Sequence, residues 1–361
     1  MKKTYLSLVV AGFVATPMAV MAEAIIYGRA HLSLDDVTGY APITTAPFSY
    51  KDSSNGDDKW TARVVSRASR LGFKGSEDLG GGLKAIYKME FGVQMADGNN
   101  NVLGENGNSV IAGRNMYAGL AGDWGTFLMG RHDTPTKVST TNLDMFGDRL
   151  GDYKDTAGFV DLRVDTAVAY ISPSMSGFTG ALALVAPAWA QAGNPDANGF
   201  NAVSLAGMYQ NGPFYGTVSY QQIGKDMLMT KAVANNNGSD WETWRAALSY
   251  SDYGFTLTGM WENDSNWGAV KKNDSDIYSI QGSYAFGANV VKVMGGWRQN
   301  DAKILKDGDS YALGYDYNLS KRSTLYAVYN NTSNYYGLNS PVGSNSQADY
   351  RGVSFGIIHN F

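Results

Sequence analysis

The chain has 361 residues, 44% of them apolar, with 43 glycines, 23 tyrosines and a formal net charge of −4. So weakly acidic a balance argues against nucleic acid as a partner, and the absence of cysteine excludes a disulfide framework and a thiolate metal site. Beyond the N-terminus no run approaches the roughly eighteen consecutive apolar residues of a membrane helix, so no helix of the mature chain is expected to span a bilayer.

In chain order, Met1-Lys2-Lys3 is a short basic start, Thr4 to Thr16 is mostly apolar, and Val20-Met21-Ala22 offers a small-residue cleavage site. Residues 1–22 are therefore expected to be a secretory signal peptide, leaving 23–361 as one unit. Removing Lys2 and Lys3 with no acid brings the net charge near −6. From Ile25 to Leu34 the residues alternate: Ile26, Ala30, Leu32 and Leu34 share one parity, Arg29, His31 and Ser33 the other. That is a strand with one apolar and one polar face. Residues 36–58 are read as loop.

A hairpin follows, Trp60 to Lys74 and Leu83 to Gln94, reversing at Gly80-Gly81-Gly82, where glycine permits positive φ. On its return arm Leu83, Ala85, Tyr87, Met89 and Phe91 oppose Lys84, Lys88 and Glu90. Burying that second face in a dry core would strand three charges, so it is expected to be wet. Arg70 falls on the polar parity, whereas Arg63 and Arg67 share parity with Leu71 and Phe73 and are placed away from it. Six further hairpins repeat the design, with tight turns near Gly122, Pro173, Gly212, Gly254, Gly287 and Ser320. With the opening strand and the closing strand 350–361 the count is sixteen. The connections between hairpins are long and polar, among them 96–108, 187–199 and 333–349.

Short turns on one side and long loops on the other, with strands of about ten residues, match a transmembrane β-barrel. No period of about forty to fifty residues appears, as propeller blades would give. At the C-terminus Val353, Phe355, Ile357, His359 and Phe361 alternate with smaller or polar residues. Such an edge is a liability in a soluble sheet and is resolved by pairing with the first strand of a closed barrel.

The longest segment that does not read as strand is 133–164. Its 32 residues can extend about 100 Å, enough to cross a barrel and return. Arg131 shares parity with Phe127 and Met129 and is therefore placed just beyond its strand, where this loop begins. His132-Asp133 next to a serine would evoke a hydrolase, but sequence neighbours on a strand point to opposite faces and no Gly-x-Ser-x-Gly element is present. His31, His132 and His359 lie on distant segments, so no metal site and no cofactor is expected. Asp52, Asp57 and Asp58 are read as solvated loop charge, with calcium held between lipopolysaccharide heads as the sharper alternative.

Taken together, Ser69-Arg70-Leu71-Gly72-Phe73-Lys74-Gly75-Ser76-Glu77-Asp78-Leu79-Gly80, Gly130-Arg131-His132-Asp133-Thr134-Pro135, Leu319-Ser320-Lys321-Arg322-Ser323 and the terminal Gly356-Ile357-Ile358-His359-Asn360-Phe361 resemble the general bacterial porin family of Gram-negative outer membranes. The resemblance covers the whole mature chain. It implies an all-β fold, a sixteen-stranded antiparallel transmembrane β-barrel whose third external loop, here 133–164, folds into the lumen. It also implies a homotrimer in the cell outer membrane, surrounded by lipopolysaccharide and lipid, with Phe361 read by the barrel-assembly machinery. The implied function is a water-filled channel for passive diffusion of ions and small hydrophilic solutes, not an enzyme. The alternative is a channel selective for an anion, organic acid or sugar.

Carried over by motif, the basic cluster of the constriction is Arg29, Arg70, Arg131 and Arg163. The family's Pro-Glu-Phe-Gly-Gly type of loop tip reads here Asp144-Met145-Phe146-Gly147-Asp148, which makes Asp144 and Asp148 the opposing acids, with Asp152 and Asp155 behind them. Asp161, Lys137 and Lys154 add charge of both signs, so the sign of any ion preference stays open at this point.

Overall fold

The computed structural model describes residues 24–39, 43–45, 48–50, 60–96, 111–186, 199–227, 238–301, 306–335 and 348–361. The expected signal peptide and the acids Asp52, Asp57 and Asp58 lie outside these residues.

Sixteen strands form one antiparallel sheet. They are β1 (Ile25–Gly39), β2 (Thr61–Ser66 and Arg70–Gly80), β3 (Leu83–Val93), β4 (Ile111–Gly122), β5 (Gly125–Asp133), β6 (Arg163–Ile171), β7 (Phe178–Val185) and β8 (Ala202–Asn211). The remainder are β9 (Phe214–Ile223), β10 (Trp241–Asp252), β11 (Phe255–Ser265), β12 (Ser275–Phe286), β13 (Asn289–Asn300), β14 (Gly308–Asn318), β15 (Ser323–Tyr335) and β16 (Ala348–Asn360). Each pairs with its neighbours in sequence, and β1 pairs with β16 as well as β2, so the sheet closes on itself. Closure leaves this sheet without an edge strand. It is finished by the last residue: Phe361 and Gly28 exchange two backbone hydrogen bonds of 2.9 and 3.0 Å. The Phe361 ring lies over Gly28, where a Cβ would sit 2.3 Å from Phe361 Cζ.

The period-two pattern carries directly into burial. On β10, Trp241, Thr243, Arg245 and Ala247 are buried, while Trp244 and Leu248 on the opposite face are 46% and 73% exposed. The exposed face is mainly apolar, with Val218, Leu257, Ile280, Leu313 and Phe355 all open. The buried face holds His31, Asp35, Gln221, Arg245, Glu262, Gln281 and Asn330. Apolar out and polar in is the reverse of a water-soluble core and suits a wall that meets hydrocarbon. None of the described helices is long and apolar enough to cross a membrane, and the crossings are made by strands.

One-residue insertions interrupt the ladder at several places, and three of them correct the parity reading. Leu32 pairs with Ser66 and Arg29 with Arg70, so β2 uses four steps where β1 uses three. The extra residue falls at 67–69, outside regular strand, and reverses parity there. Arg67 consequently lies on the polar face, buried, ion-paired to Asp35 and bonded to Ser33 Oγ at 3.2 Å. In β4 the pairs Met89 to Met116 and Phe91 to Gly113 place the insertion at 114–115. In β6 the pairs Gly130 to Ala167 and His132 to Val164 place it at 165–166, where Thr166 has φ +51°.

Two boundaries also shift. β5 continues through Arg131 to Asp133, so Arg131 is a strand residue and not the start of the loop. The stretch 36–58 is not all loop: β1 runs on to Gly39, and a small hairpin pairs Ile43–Thr45 with Phe48–Tyr50.

Candidate functional site

The segment between β5 and β6 is folded by its own sequence. Thr134 caps helix α1 (Pro135–Thr140), its hydroxyl accepting from Lys137 N at 3.4 Å, with proline at the first helical position. A 3-10 turn (Thr141–Leu143) follows. Asp152 then caps the short α2 (Tyr153–Thr156), accepting from Lys154 N at 3.0 Å.

The segment is tied to the polar face of the sheet at many points. Thr136 N donates to Ser204 Oγ on β8 at 3.2 Å, and Tyr215 on β9 donates to Ser139 O at 2.5 Å. Gln281 on β12 accepts from Met145 N at 2.8 Å, and Lys292 on β13 donates to Met145 O at 2.9 Å. Arg149 and Lys292 both hold Asp316 on β14, at 3.0 and 2.6 Å. Tyr350 on β16 donates to Asp155 O at 2.8 Å.

The largest of these ties is Arg245 on β10, which is wholly buried. Its guanidinium donates to Glu262 at 2.5 Å, Thr140 Oγ1 at 2.7 Å, Val160 O at 2.7 Å and Asp161 at 2.9 Å. One side chain thus joins both arms of the segment to the wall. Glu262 accepts in addition from Val160 N at 2.8 Å. Apolar packing adds to the polar ties. Phe146, Leu143, Leu150, Tyr153 and Phe159 are buried with Met208, Ile277, Met294 and Ala312 of the wall.

Held this way, the segment presents Asp148 at its tip, in the left-handed conformation at φ +62°. Aspartate tolerates that conformation better than most residues, and Asp148 N donates to Asp152 at 2.8 Å. The Asp148 carboxylate lies 3.4 Å from Arg29 and 4.0 Å from Arg70, with side-chain exposures of 28%, 26% and 19%. Arg29 and Arg70 are themselves direct cross-strand partners. Burial alone would raise the Asp148 carboxyl. Arg70, then Lys154, Arg114 and Arg29, reverse that and hold it well below the usual carboxylate range.

The other expected residues are placed elsewhere. Asp144 is turned into the segment, accepting from Phe146 N at 2.9 Å and Tyr153 N at 3.2 Å, and burial together with Asp152 pushes its carboxyl well up. Asp152 and Asp155 pair with Lys154 at 2.5 and 3.4 Å. Arg163 pairs with Asp133 at 2.9 Å, beside Lys137 at 3.0 Å from the same oxygen. Arg131 is ion-paired to Asp165, on the parity of Met129, which is 56% exposed. It is apart from Arg29 and Arg70.

Arg114 and Glu90 belong to the site and escape the sequence reading. Arg114 shares sequence parity with the outward Ala118 and Leu120, but the insertion at 114–115 turns it to Glu90 on the polar face, 2.8 Å away. Glu90 also holds Lys88 at 3.2 Å and accepts from the Tyr27 hydroxyl at 2.9 Å. The charged parity of Lys84, Lys88 and Glu90 was the one signal available for them.

This arrangement, a closed sixteen-stranded wall with a bonded segment between its fifth and sixth strands, was compared with known proteins. The family model described as Gram-negative porin matches residues 7–335. The chain belongs to the Gram-negative porin family. Against an outer membrane porin protein of Bordetella pertussis the porin is 27% identical, covering 82% of this chain and 83% of the relative. Against the major outer membrane protein P.IA of Neisseria meningitidis it is 25% identical, covering 96% and 97%. Among solved structures, the anion-selective porin from Comamonas acidovorans superposes with a TM-score of 0.69 at 22% identity, over 94% of this chain and all of that one. The porin is thus an outer-membrane protein that forms a channel for passive diffusion.

Proposed function

We propose that the polar face of the barrel lines the water path, that segment 134–162 folds across it, and that Asp148 opposite Arg29 and Arg70 sets its narrowest point. The observation that carries this reading is the Asp148–Arg29–Arg70 group, partly exposed in a segment whose other acids are consumed. Asp144 bonds its own backbone, Asp152 and Asp155 neutralise Lys154, and Asp161 is bound to Arg245. The constriction acid is therefore Asp148 alone, and Arg114 takes the place expected for Arg131.

The same accounting favours anions. Along β1 to β4 the polar face carries Arg29, Arg67, Arg70, Lys74, Lys88 and Arg114 against Asp35 and Glu90, with Asp148 of the segment facing it. A surplus of fixed positive charge beside a narrow path concentrates anions and repels cations. Solutes pass without a catalytic step. His132 bonds the carbonyl of Asp133 and lies tilted against the Tyr117 ring, 5.2 Å between centroids.

Asp148→Asn keeps the backbone conformation and removes the charge. One charge about 7 Å from a permeating ion in a water-like medium is worth roughly 0.6 kcal/mol, about threefold in a permeability ratio. In planar bilayers with a KCl gradient, the reversal potential should move toward anions by about that ratio. An unmoved reversal potential would remove Asp148 from the constriction. Because its carboxyl is held down, Asp148 keeps its charge, and its stabilising contribution, from neutral pH to the ordinary carboxylate range near 4. That contribution is lost only as pH falls through the lowered folded-state value, so selectivity should hold between pH 7 and about 4.

As partners we propose two further copies in a homotrimer, outer-membrane lipid and lipopolysaccharide, and the barrel-assembly machinery reading Phe361. The Arg131–Asp165 pair supports a polar outer contact, because charge on an outward face is costly in hydrocarbon. Phe361, half exposed at the chain end, supports the last.

A further inference from the structure

Lys74 and Lys88 stand directly opposite each other on β2 and β3. Like charges in that relation repel, and the sheet offers little to offset them. Glu90, the nearby carboxylate, is already bound by Arg114 and by the Tyr27 hydroxyl as well as by Lys88. Among the described residues no carboxylate lies within ion-pair distance of Lys74, whose ammonium meets only the face of the Tyr27 ring, 5.4 Å from its centroid. Lys88 lies 5.7 Å from the same centroid.

The ring between them is built into place. Tyr27, Gly72 and Glu90 are in register across three adjacent strands. The Tyr27 side chain crosses Gly72 to reach Glu90, and a Cβ at position 72 would lie 2.4 Å from Tyr27 Cζ. Glycine at 72 is what lets the ring lie across the sheet with both lysines beside it. The pair sits four residues from Arg70 along β2, roughly 13 Å, toward the tight turn at Gly80–Gly82. It is thus a separate station from the Asp148 group.

We propose that Lys74 and Lys88, floored by Tyr27, form a binding station for small dianions such as inorganic phosphate, on the turn side of the constriction. This rests on the reading that the polar face lines the water path. A dianion between the two ammoniums would replace their repulsion by two attractions and would meet no competing carboxylate except Glu90, which is already occupied.

The test uses the full-length protein in planar bilayers, with chloride current recorded while inorganic phosphate is added at pH 8. Saturable block is expected for the wild type. One lysine charge at about 4 Å from a dianion in a water-like medium is worth about thirtyfold in affinity. The half-blocking concentration should therefore rise about thirtyfold in Lys74→Gln, and further in Lys74→Gln/Lys88→Gln, with block retained in Lys74→Arg/Lys88→Arg. Lys74 is exposed, so its single variant reads out binding even if the double variant folds poorly. No saturable block in the wild type, or unchanged half-block in Lys74→Gln and in the double variant, would overturn the station. A cation-directed KCl reversal potential with lysine-dependent block intact would defeat the anion preference and still support the station.

Discussion

Arg245→Ala should be the most damaging single substitution in the loop anchorage. The guanidinium is wholly buried and joins Glu262, Asp161, Thr140 and Val160 O. Removing it leaves two carboxylates facing each other without their cation, a loss of about 3–5 kcal/mol for a broken buried pair. The cost falls where segment 134–162 meets the wall, so two readouts should move together. The temperature at which the folded form converts to the slower-migrating unfolded band on heated SDS gels should drop, and open-channel current noise should rise. Glu262→Gln should be milder, because the amide oxygen still accepts from Val160 N. A wild-type melting temperature and quiet current in Arg245→Ala would show that the segment is held by something else.

Phe146→Ala addresses the opposite end of the same segment. The Phe146 ring is completely buried and sits in a seat that only small residues permit. A Cβ at Gly314 would lie 2.7 Å from its Cε1, and one at Gly151 would lie 2.9 Å from its Cδ1 and from Ala312 Cβ. Truncating a buried phenylalanine costs about 3–5 kcal/mol. Here the loss is concentrated on the tip that carries Asp148 two residues on, so conductance should rise and become unsteady while the barrel itself still forms. Gly314→Ala should reproduce the effect from the wall side by filling the seat. Identical single-channel traces for Phe146→Ala and wild type would mean that polar ties alone position the tip.

These two anchors show where sequence reading stops. Nothing adjacent to Phe146 in the chain marks it as a wall contact, since Gly314 lies on β14. Arg245 reads only as the polar residue of an alternating strand. Its four partners come from β10's neighbour β11 and from both arms of a segment about a hundred positions earlier. Long-range pairing of that kind leaves no local signature in one chain.

The acids show a second limit. Asp144, Asp148, Asp152 and Asp155 are equivalent as letters, yet three are taken up locally by backbone amides and by Lys154, and only Asp148 is turned outward by a left-handed backbone. Short polar side chains capture nearby amides whenever the backbone turns tightly, and which of them does so depends on the turn.

By itself the sequence determined the closed all-β architecture, the strand number, the turn-and-loop asymmetry and the identity of the long segment. Period-two alternation and glycine-marked reversals encode all of these locally. It also sufficed to place Arg29 and Arg70 on one polar face. The tertiary structure decided which charges meet. The one-residue insertions at 67–69 and 114–115 reverse parity, turning Arg67 and Arg114 inward, while unbroken parity through β5 leaves Arg131 outward beside the Asp165 exposed by the insertion at 165–166. Facing is counted residue by residue along a strand, so a single extra residue reassigns every side chain beyond it. Only the pairing with the neighbouring strand shows where that residue is.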